Sequence, residues 1–176
     1  MTDKVLIVIG KTMSGKTTYV QNELIPQGYT QVITHTTRPR RATESETAYH
    51  FETAVHGETL ALREFDMIGG HVAYWTTTAD ILATPKPVII IDVQGAIELV
   101  RALGDNAVIR YLNTPNDVIR ERLTTSSRGV MEDEQESMRR YADDVMQFAK
   151  LDQAIAPDVP LVDLSARNFI KINQER

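Results

Sequence analysis

The stretch that decides the fold is Val5-Leu6-Ile7-Val8-Ile9-Gly10-Lys11-Thr12-Met13-Ser14-Gly15-Lys16-Thr17. Its first part is apolar and β-branched, and predicts a strand over Lys4–Ile9 that is buried on both faces of a parallel sheet. Its second part fits G-x-x-x-x-G-K-[ST] at every fixed position, and a helix is predicted to follow over Lys16–Leu24. The glycines let backbone amides turn toward phosphate oxygens, and the helix N-terminus adds partial positive charge. The stretch therefore predicts a nucleoside triphosphate site at the end of a buried strand.

The residue types of this loop predict which side chains contact the phosphates and which one contacts the metal ion. Lys16 is expected to reach the β- and γ-phosphates, and the Thr17 hydroxyl is expected to ligate Mg²⁺. Met13 stands where many such loops have another glycine, which predicts a stiffer loop. ATP is the expected phosphoryl donor and Mg²⁺ the expected cofactor. The predicted ATP-binding residues are Gly10, Lys11, Thr12, Met13, Ser14, Gly15, Lys16, Thr17 and Thr18.

Composition narrows the class of protein. The chain has 176 residues, of which 42% are hydrophobic and 24% are charged, as expected for one globular domain. The absence of cysteine excludes thiol catalysis and thiolate metal sites. The net charge of −5 argues against nucleic acid or an anionic membrane as a partner, and the apolar runs are too short to cross a bilayer. A cytoplasmic protein is expected, with its oligomeric state left open.

The rest of the chain alternates strands with helices. Further strands are predicted at Val32–Thr37, Tyr49–Phe51, Ala73–Thr76, Pro87–Asp92, Ala107–Leu112 and Leu161–Asp163. Helices are predicted near Thr59–Asp66, over Gln94–Leu103, from Pro115 to about Leu123, over Glu132–Lys150 and at the C-terminus. The alternation predicts an α/β fold with a mostly parallel sheet flanked by helices. The stretch from Arg38 to Thr78 interrupts this rhythm and is expected to fold as an inserted subdomain.

A basic cluster follows the second predicted strand. It is contained in Thr34-His35-Thr36-Thr37-Arg38-Pro39-Arg40-Arg41-Ala42-Thr43-Glu44, with Tyr49-His50-Phe51 close behind. Guanidinium groups beside hydroxyls suit a dianionic phosphate, because each guanidinium can bind two oxygens. On composition alone, an exposed basic loop is the alternative.

These residues resemble the guanylate kinase family, whose second strand runs into T-T-R-P-x-R-x-x-E and then Y-x-F. The resemblance continues through Tyr74-Trp75-Thr76, which looks like the Y-G-T of the family, and through Ile91-Asp92-Val93-Gln94-Gly95-Ala96, which matches I-D-x-Q-G-A. It spans roughly Val5 to Asp158. It implies a P-loop NTPase-type fold and transfer of a phosphoryl group from ATP to a nucleoside monophosphate, with GMP or dGMP as the first choice.

The resemblance also implies roles and boundaries. It assigns the acceptor phosphate to Arg38, Arg41, Tyr49 and Tyr74, and the acceptor site further to Thr34, Glu44 and Asp92. Asp92 acts either on Mg²⁺ or on the acceptor base. The implied catalytic residues are Lys16, Arg38, Arg41, Arg128 and Arg139, the last two from a lid. In this single domain of residues 1–176, residues 1–34 and 79–176 form the core, 35–78 the nucleoside monophosphate-binding subdomain and 124–139 the lid.

The sequence departs from the family around the acceptor base. Ile90 stands where the family usually has an acidic residue, and Trp75 replaces a glycine. The guanine-reading glutamate falls on Phe65, so Glu64 or Asp66 is expected to take that role, because a carboxylate accepts hydrogen bonds from guanine. Three alternatives therefore stay open. They are a kinase for another (deoxy)nucleotide, a kinase for ribose 1,5-bisphosphate, and a non-catalytic interaction module.

Two further sets of residues are interpreted as scaffold. His35, His50, His56 and His71 show no close metal-ligand spacing along the chain and are expected to be structural or surface residues. The spacing of Met131, Met138 and Met146 predicts a buried stripe on one helix.

Overall fold

The structure is a computed structural model that describes residues 4–42, 44–67, 70–125, 134–149 and 161–163. The strands are β1 Val5–Gly10, β2 Thr30–Gln31, β3 His35–Thr36, β4 His50–Phe51, β5 Thr59–Met67, β6 Gly70–Thr77, β7 Pro87–Ile90, β8 Ala107–Leu112 and β9 Leu161–Asp163. The α-helices are α1 Lys16–Tyr19, α2 Thr78–Ala83, α3 Val93–Leu103, α4 Asn116–Thr125 and α5 Glu134–Phe148. A π-helical turn, Val20–Leu24, and a 3₁₀ turn, Ile25–Gln27, extend α1.

Five parallel strands form the central sheet in the order β2-β7-β1-β8-β9. Strand β1 lies in the middle, and all of its residues are buried, as its unbroken apolar run predicts. One face of the strand packs through Ile7 and Ile9 against α3, and the other packs through Leu6 and Val8 against the turn that extends α1. The predicted α/β fold, a parallel sheet flanked by helices, is confirmed.

A second sheet of four strands has the order β4-β3-β6-β5. The helix predicted near Thr59–Asp66 is wrong, because this segment is the long strand β5, paired antiparallel with β6. Its Leu, Ala, Arg and Glu residues favour helices in isolation, but the pairing with β6 outweighs that propensity. The backbone N–H of Leu62 also donates to Glu98 of α3 over 2.9 Å, which ties this sheet to the core.

The predicted strand Val32–Thr37 is correct only at His35–Thr36, and a separate short strand, Thr30–Gln31, comes just before the predicted range. Strand β2 pairs with β7 in the central sheet, whereas β3 pairs with β4 and β6 in the second sheet. Thr34 therefore lies where the chain crosses from one sheet to the other.

The two described methionines of helix α5 are exposed, contrary to the predicted buried stripe. Met138 is 44% exposed and Met146 is 61% exposed, so the prediction that they are buried is wrong, and Met131 lies outside the described residues. Tyr141 of α5 instead packs against Ile119 and Leu123 of α4, and Val145 packs against the same cluster. The predicted C-terminal helix also lies outside the described residues. In the part of the chain that the structure describes, no helix is long and apolar enough to cross a membrane.

Candidate active site

The phosphate loop connects β1 to α1 and is held in a tight curve. Met13 and Gly15 have left-handed backbone angles, with φ of 61° and 95°. Left-handed geometry suits glycine and is uncommon for a side chain such as that of Met13. A Cβ atom at Gly10 would lie 2.5 Å from Oγ of Ser14, so glycine is required where the strand ends.

Three hydrogen bonds fix the middle of this loop. The N–H of Ser14 donates to the carbonyl of Lys11 over 3.0 Å. The Thr114 hydroxyl donates to the Ser14 carbonyl over 2.8 Å, and Arg122 of α4 donates to the Met13 carbonyl over 2.8 Å. The loop is therefore preorganised by the core.

The ammonium group of Lys16 lies over the same loop. Its Nζ donates to the carbonyl of Gly10 over 2.6 Å and to that of Lys11 over 2.9 Å. Thr17 and Thr18 follow it and are exposed in the first turn of α1. The Lys11 side chain is instead buried, and it donates to Oδ1 of Asn116 over 2.6 Å. Burial lowers the pKa of Lys11, against the attraction of Asp144.

Asp144 of α5 contacts the phosphate loop. No pattern in the sequence predicted this contact. Its carboxylate accepts a hydrogen bond from the backbone N–H of Thr12. Burial raises the pKa of Asp144, and the bond from Thr12 and the charge of Lys16 only partly oppose this rise. A partly buried carboxylate thus contacts an amide of the kind that binds phosphate oxygens.

Beside the second sheet, the buried guanidinium group of Arg38 donates hydrogen bonds from all three of its nitrogens. Nε of Arg38 donates to the Tyr74 hydroxyl over 2.7 Å, and Nη1 donates to the carbonyl of Pro39 over 2.7 Å. Nη2 donates to both carboxylate oxygens of Glu44, over 2.8 and 2.9 Å. The same guanidinium lies 5.6 Å from the ring centroid of Tyr49.

Glu44 holds two arginines at once. Besides Arg38, it accepts a bond from the backbone N–H of Arg41 over 3.0 Å, and the Arg41 guanidinium lies 3.4 Å from Oε1. Burial alone would raise the pKa of Glu44, but the bonds from Arg41 and Arg38 and their positive charges hold it below its ordinary value. Glu44 is therefore ionised and orients both guanidinium groups.

Aromatic rings form the neighbouring wall. Phe65 stacks on Tyr74 with centroids 5.6 Å apart and planes 7° apart, and Tyr49 meets Tyr74 edge-on at 5.7 Å. Glu64 and Asp66 flank Phe65 on β5, and they lie 3.6 and 3.1 Å from ring nitrogens of His71.

Asp92 joins the two sheets. Its Oδ1 accepts from the N–H of Gly95 over 2.7 Å and so caps α3, while its Oδ2 accepts from Nε of Arg63 over 3.0 Å. Arg63 was not among the predicted site residues, because a helix was predicted here and the two-residue period of a strand is what brings Arg63 and Phe65 to one face of β5.

A cleft of about 470 Å³ lies beside the phosphate loop and the second sheet, and Lys16, Tyr49 and Tyr74 all line it. Arg38, Arg41 and Glu44 do not line it themselves. On its opposite side, Arg139 of α5 donates to the carbonyl of Asp66 over 2.7 Å. Arg128 lies outside the described residues. The cleft lining includes Gly10, Thr12, Lys16, Thr34, Tyr49, Arg63, Phe65, Asp66, Tyr74, Ile90, Asp92, Arg139 and Asp144.

Comparison with known proteins places the chain in a family. No protein-family model matches it. It is 26% identical to the guanylate kinase of Psychrobacter arcticus over 194 aligned residues, which cover 100% of this chain and 93% of the relative. It is 32% identical to the guanylate kinase of Neisseria gonorrhoeae over 140 residues, which cover 73% of this chain and 68% of the relative.

The crystal structure of guanylate kinase from Anaplasma phagocytophilum has the same fold. The TM-score is 0.56 at 16% sequence identity, and the match covers 100% of this chain and 89% of that one. The phosphate loop and the arginine–tyrosine cluster are consistent with the similarity to the guanylate kinase of Neisseria gonorrhoeae. The chain belongs to the guanylate kinase family as a divergent member.

Proposed function

We propose that this protein transfers the γ-phosphoryl group of ATP to a nucleoside monophosphate, with GMP or dGMP as the preferred acceptor. The observation that carries the proposal is the shared cleft. Lys16 of the phosphate loop lines it together with Tyr49 and Tyr74, and Tyr74 is bonded to the buried Arg38. A cation on a triphosphate loop thus shares one cleft with hydroxyls linked to a guanidinium cluster.

The arrangement suits phosphoryl transfer, which depends on alignment and on charge neutralisation more than on covalent catalysis. Lys16 binds the transferred phosphoryl group. Arg38 and Arg41, oriented by Glu44, hold the acceptor phosphate with the hydroxyls of Tyr49 and Tyr74. Arg139 lines the cleft from α5, and Arg128 is proposed to act beside it.

Mg²⁺ is the proposed cofactor. It prefers hard oxygen ligands and commonly takes one or two from the protein, with water and substrate phosphates supplying the others. The exposed hydroxyl of Thr17 fits this chemistry, and so does the carboxylate of Asp92 in the cleft. Mg²⁺ neutralises phosphate charge when bound, and the protein groups around it orient the two substrates.

Base recognition is proposed to involve Thr34 and Asp66, which both line the cleft. An Asp66 carboxylate turned inward accepts hydrogen bonds from guanine N1–H and the 2-amino group, which adenine does not offer. Glu64 is the second candidate, since it is the other carboxylate next to Phe65 along β5.

The proposed organisation follows the two sheets. Residues 35–78 supply all four strands of the second sheet and carry the proposed acceptor-phosphate groups Arg38, Arg41, Tyr49 and Tyr74. Residues 1–34 and 79–176 are the proposed core, and residues 124–139 are the proposed lid.

The test is a coupled assay of ADP release with ATP and Mg²⁺. Acceptors are GMP, dGMP, AMP, CMP, UMP, dTMP and ribose 1,5-bisphosphate, each against a blank without acceptor. We expect turnover with GMP or dGMP, and a loss of about 10²–10³-fold in kcat for Lys16→Met, because one preorganised positive group is removed. Lys4→Met is the matched control, since Lys4 is exposed at the start of β1.

Other outcomes reject specific parts of the proposal. Turnover with another base alone rejects guanine preference, and turnover with ribose 1,5-bisphosphate alone rejects a nucleotide acceptor. ADP release without any acceptor indicates a hydrolase. No turnover with any acceptor by a folded protein indicates an interaction module.

A further inference from the structure

A histidine cluster lies on the second sheet, on the face opposite to Tyr74. His35 on β3 is the register partner of His50 on β4 and of Trp75 on β6, whereas Tyr74 pairs with Thr36. Successive residues of a strand point to opposite faces, so the His35 face is not the face that carries the acceptor tyrosines. The cluster is therefore separate from the phosphate-binding groups.

His35 is 7% exposed, and its two ring nitrogens face carboxylates on opposite sides. Nε2 lies 3.2 Å from Oδ2 of Asp80. This contact occupies Nε2 and leaves Nδ1 as the ring nitrogen available to another group.

The other ring nitrogen of His35, Nδ1, faces a second carboxylate. It is buried without a hydrogen-bond partner and lies 3.5 Å from Oε1 of Glu52. A buried ring nitrogen and a carboxylate oxygen thus face each other, and a metal ion between them satisfies both groups.

A third ligand atom completes the set. Nε2 of His56 lies 3.3 Å from the same Oε1 of Glu52. Tetrahedral zinc with bonds of about 2.0–2.1 Å separates its ligand atoms by about 3.4 Å. Both measured separations match that spacing. His35, Glu52 and His56 each offer a ligand atom within 4.8 Å of the others.

We propose that His35, Glu52 and His56 bind a divalent transition-metal ion of the zinc class. Two imidazoles and one carboxylate favour zinc, cobalt or nickel over magnesium. Asp80 supports the site from behind, because the bond at Nε2 fixes the tautomer that presents Nδ1 to the metal. His56 is 54% exposed at its side chain, so water reaches the fourth position.

An alternative set, His35 with His50 and Asp80, also has ligand atoms within 4.8 Å of one another. The first set is preferred because Asp80 already accepts bonds from the N–H and the hydroxyl of Thr77, over 2.8 and 2.6 Å. In the preferred set, the ion joins β3 to the segment 52–56 that follows β4. It therefore stabilises the second sheet from behind the acceptor face.

The experiment uses the full chain freed of metal with a chelator. Zn²⁺ affinity is measured by competition with a chromophoric chelator, and Co²⁺ supplies a visible absorption spectrum that reports the coordination number. We expect one equivalent of either ion and a four-coordinate Co²⁺ spectrum. His56→Gln and Glu52→Gln should each weaken Zn²⁺ binding by at least about ten-fold.

His71→Gln is the matched control. His71 is also a histidine between two carboxylates, Glu64 and Asp66, but it lies outside the cluster. Its replacement should leave the affinity unchanged. Thermal unfolding of each variant in chelator should match the wild type, which shows that lost binding is not lost folding.

The proposal is overturned if the wild type binds neither ion, or if Glu52→Gln and His56→Gln bind as tightly as the wild type. It is also overturned if ¹⁵N NMR shows His35 doubly protonated at pH 7 and unaffected by Zn²⁺, since the imidazolium then donates one hydrogen bond to each carboxylate. None of these readouts depends on catalytic turnover.

Discussion

The hydroxyl of Tyr74 accepts a 2.7 Å hydrogen bond from Nε of the buried Arg38. The bond joins strand β6 to the arginine-rich loop, and it fixes the direction in which the remaining guanidinium nitrogens point. Phe65 stacks on the same tyrosine ring. Tyr74 is thus the residue through which the second sheet positions the proposed phosphate-binding arginine.

Tyr74→Phe should leave Nε of Arg38 buried without its partner. We expect the free energy of unfolding to fall by about 1–3 kcal/mol, the usual cost of an unsatisfied buried donor. The KM for the acceptor should rise more than kcat falls, because the lost hydroxyl acts in binding. Urea unfolding and steady-state kinetics measure both effects. Tyr29→Phe is the control, since it keeps the ring beneath Lys86, and equal losses in both variants would contradict the role given to Tyr74.

Glu44 should make stability depend on pH. Its pKa is held below its ordinary value of 4.5, so its contribution is fully present above about pH 4.5 and is lost as pH falls through the lowered pKa. Glu44→Gln should therefore be less stable than the wild type at pH 7, and the difference should narrow on acidification. Urea midpoints between pH 7 and pH 3 measure this. A difference that is constant with pH would contradict the ion-pair account.

Asp144→Asn should act in the opposite sense. Because burial raises the pKa of Asp144, its ionised form disfavours the folded state above the ordinary value of 3.8. The variant should be more stable at pH 7, and this advantage should disappear toward pH 3. The amide oxygen still accepts from the Thr12 N–H, so the loop keeps its shape.

The same Asp144 substitution should strengthen binding of Mg²⁺-free ATP by about ten-fold, because a negative charge beside the phosphate loop is removed. Equilibrium dialysis at low ionic strength measures the affinity. Asp105→Asn is the matched control, as Asp105 is an exposed carboxylate that does not line the cleft. Weaker ATP binding by Asp144→Asn alone would show that the carboxylate contributes to binding.

Asp66→Asn should change base preference if Asp66 reads guanine. We expect the ratio of kcat/KM for GMP over AMP to fall by at least about ten-fold, since an amide cannot accept both guanine donors as a carboxylate does. Glu64→Gln tests the second candidate with the same ratio. A ratio unchanged in both variants would remove the carboxylates of β5 from base recognition.

The elements that were predicted correctly are those whose sequence patterns lie in consecutive residues. The apolar run of β1, the glycines of the phosphate loop and the helix after it are consecutive, so one pattern predicts the central sheet and the position of Lys16. The strands Ala107–Leu112 and Leu161–Asp163 have the predicted bounds. The type and spacing of Arg38 and Arg41 predict a phosphate-binding cluster, and this assignment stays a prediction.

The strand and the contacts that sequence patterns missed depend on pairing and packing between residues far apart in the chain. Thr59–Met67 has good helix formers, and only pairing with β6 makes it a strand that brings Arg63 to Asp92. Asp144 reaches Thr12 because α5 packs beside the phosphate loop. His35 and His56 show no metal-ligand spacing in sequence, but the pairing of β3 with β4 brings their segments together. Such contacts join residues far apart in the chain, so no local period or spacing encodes them.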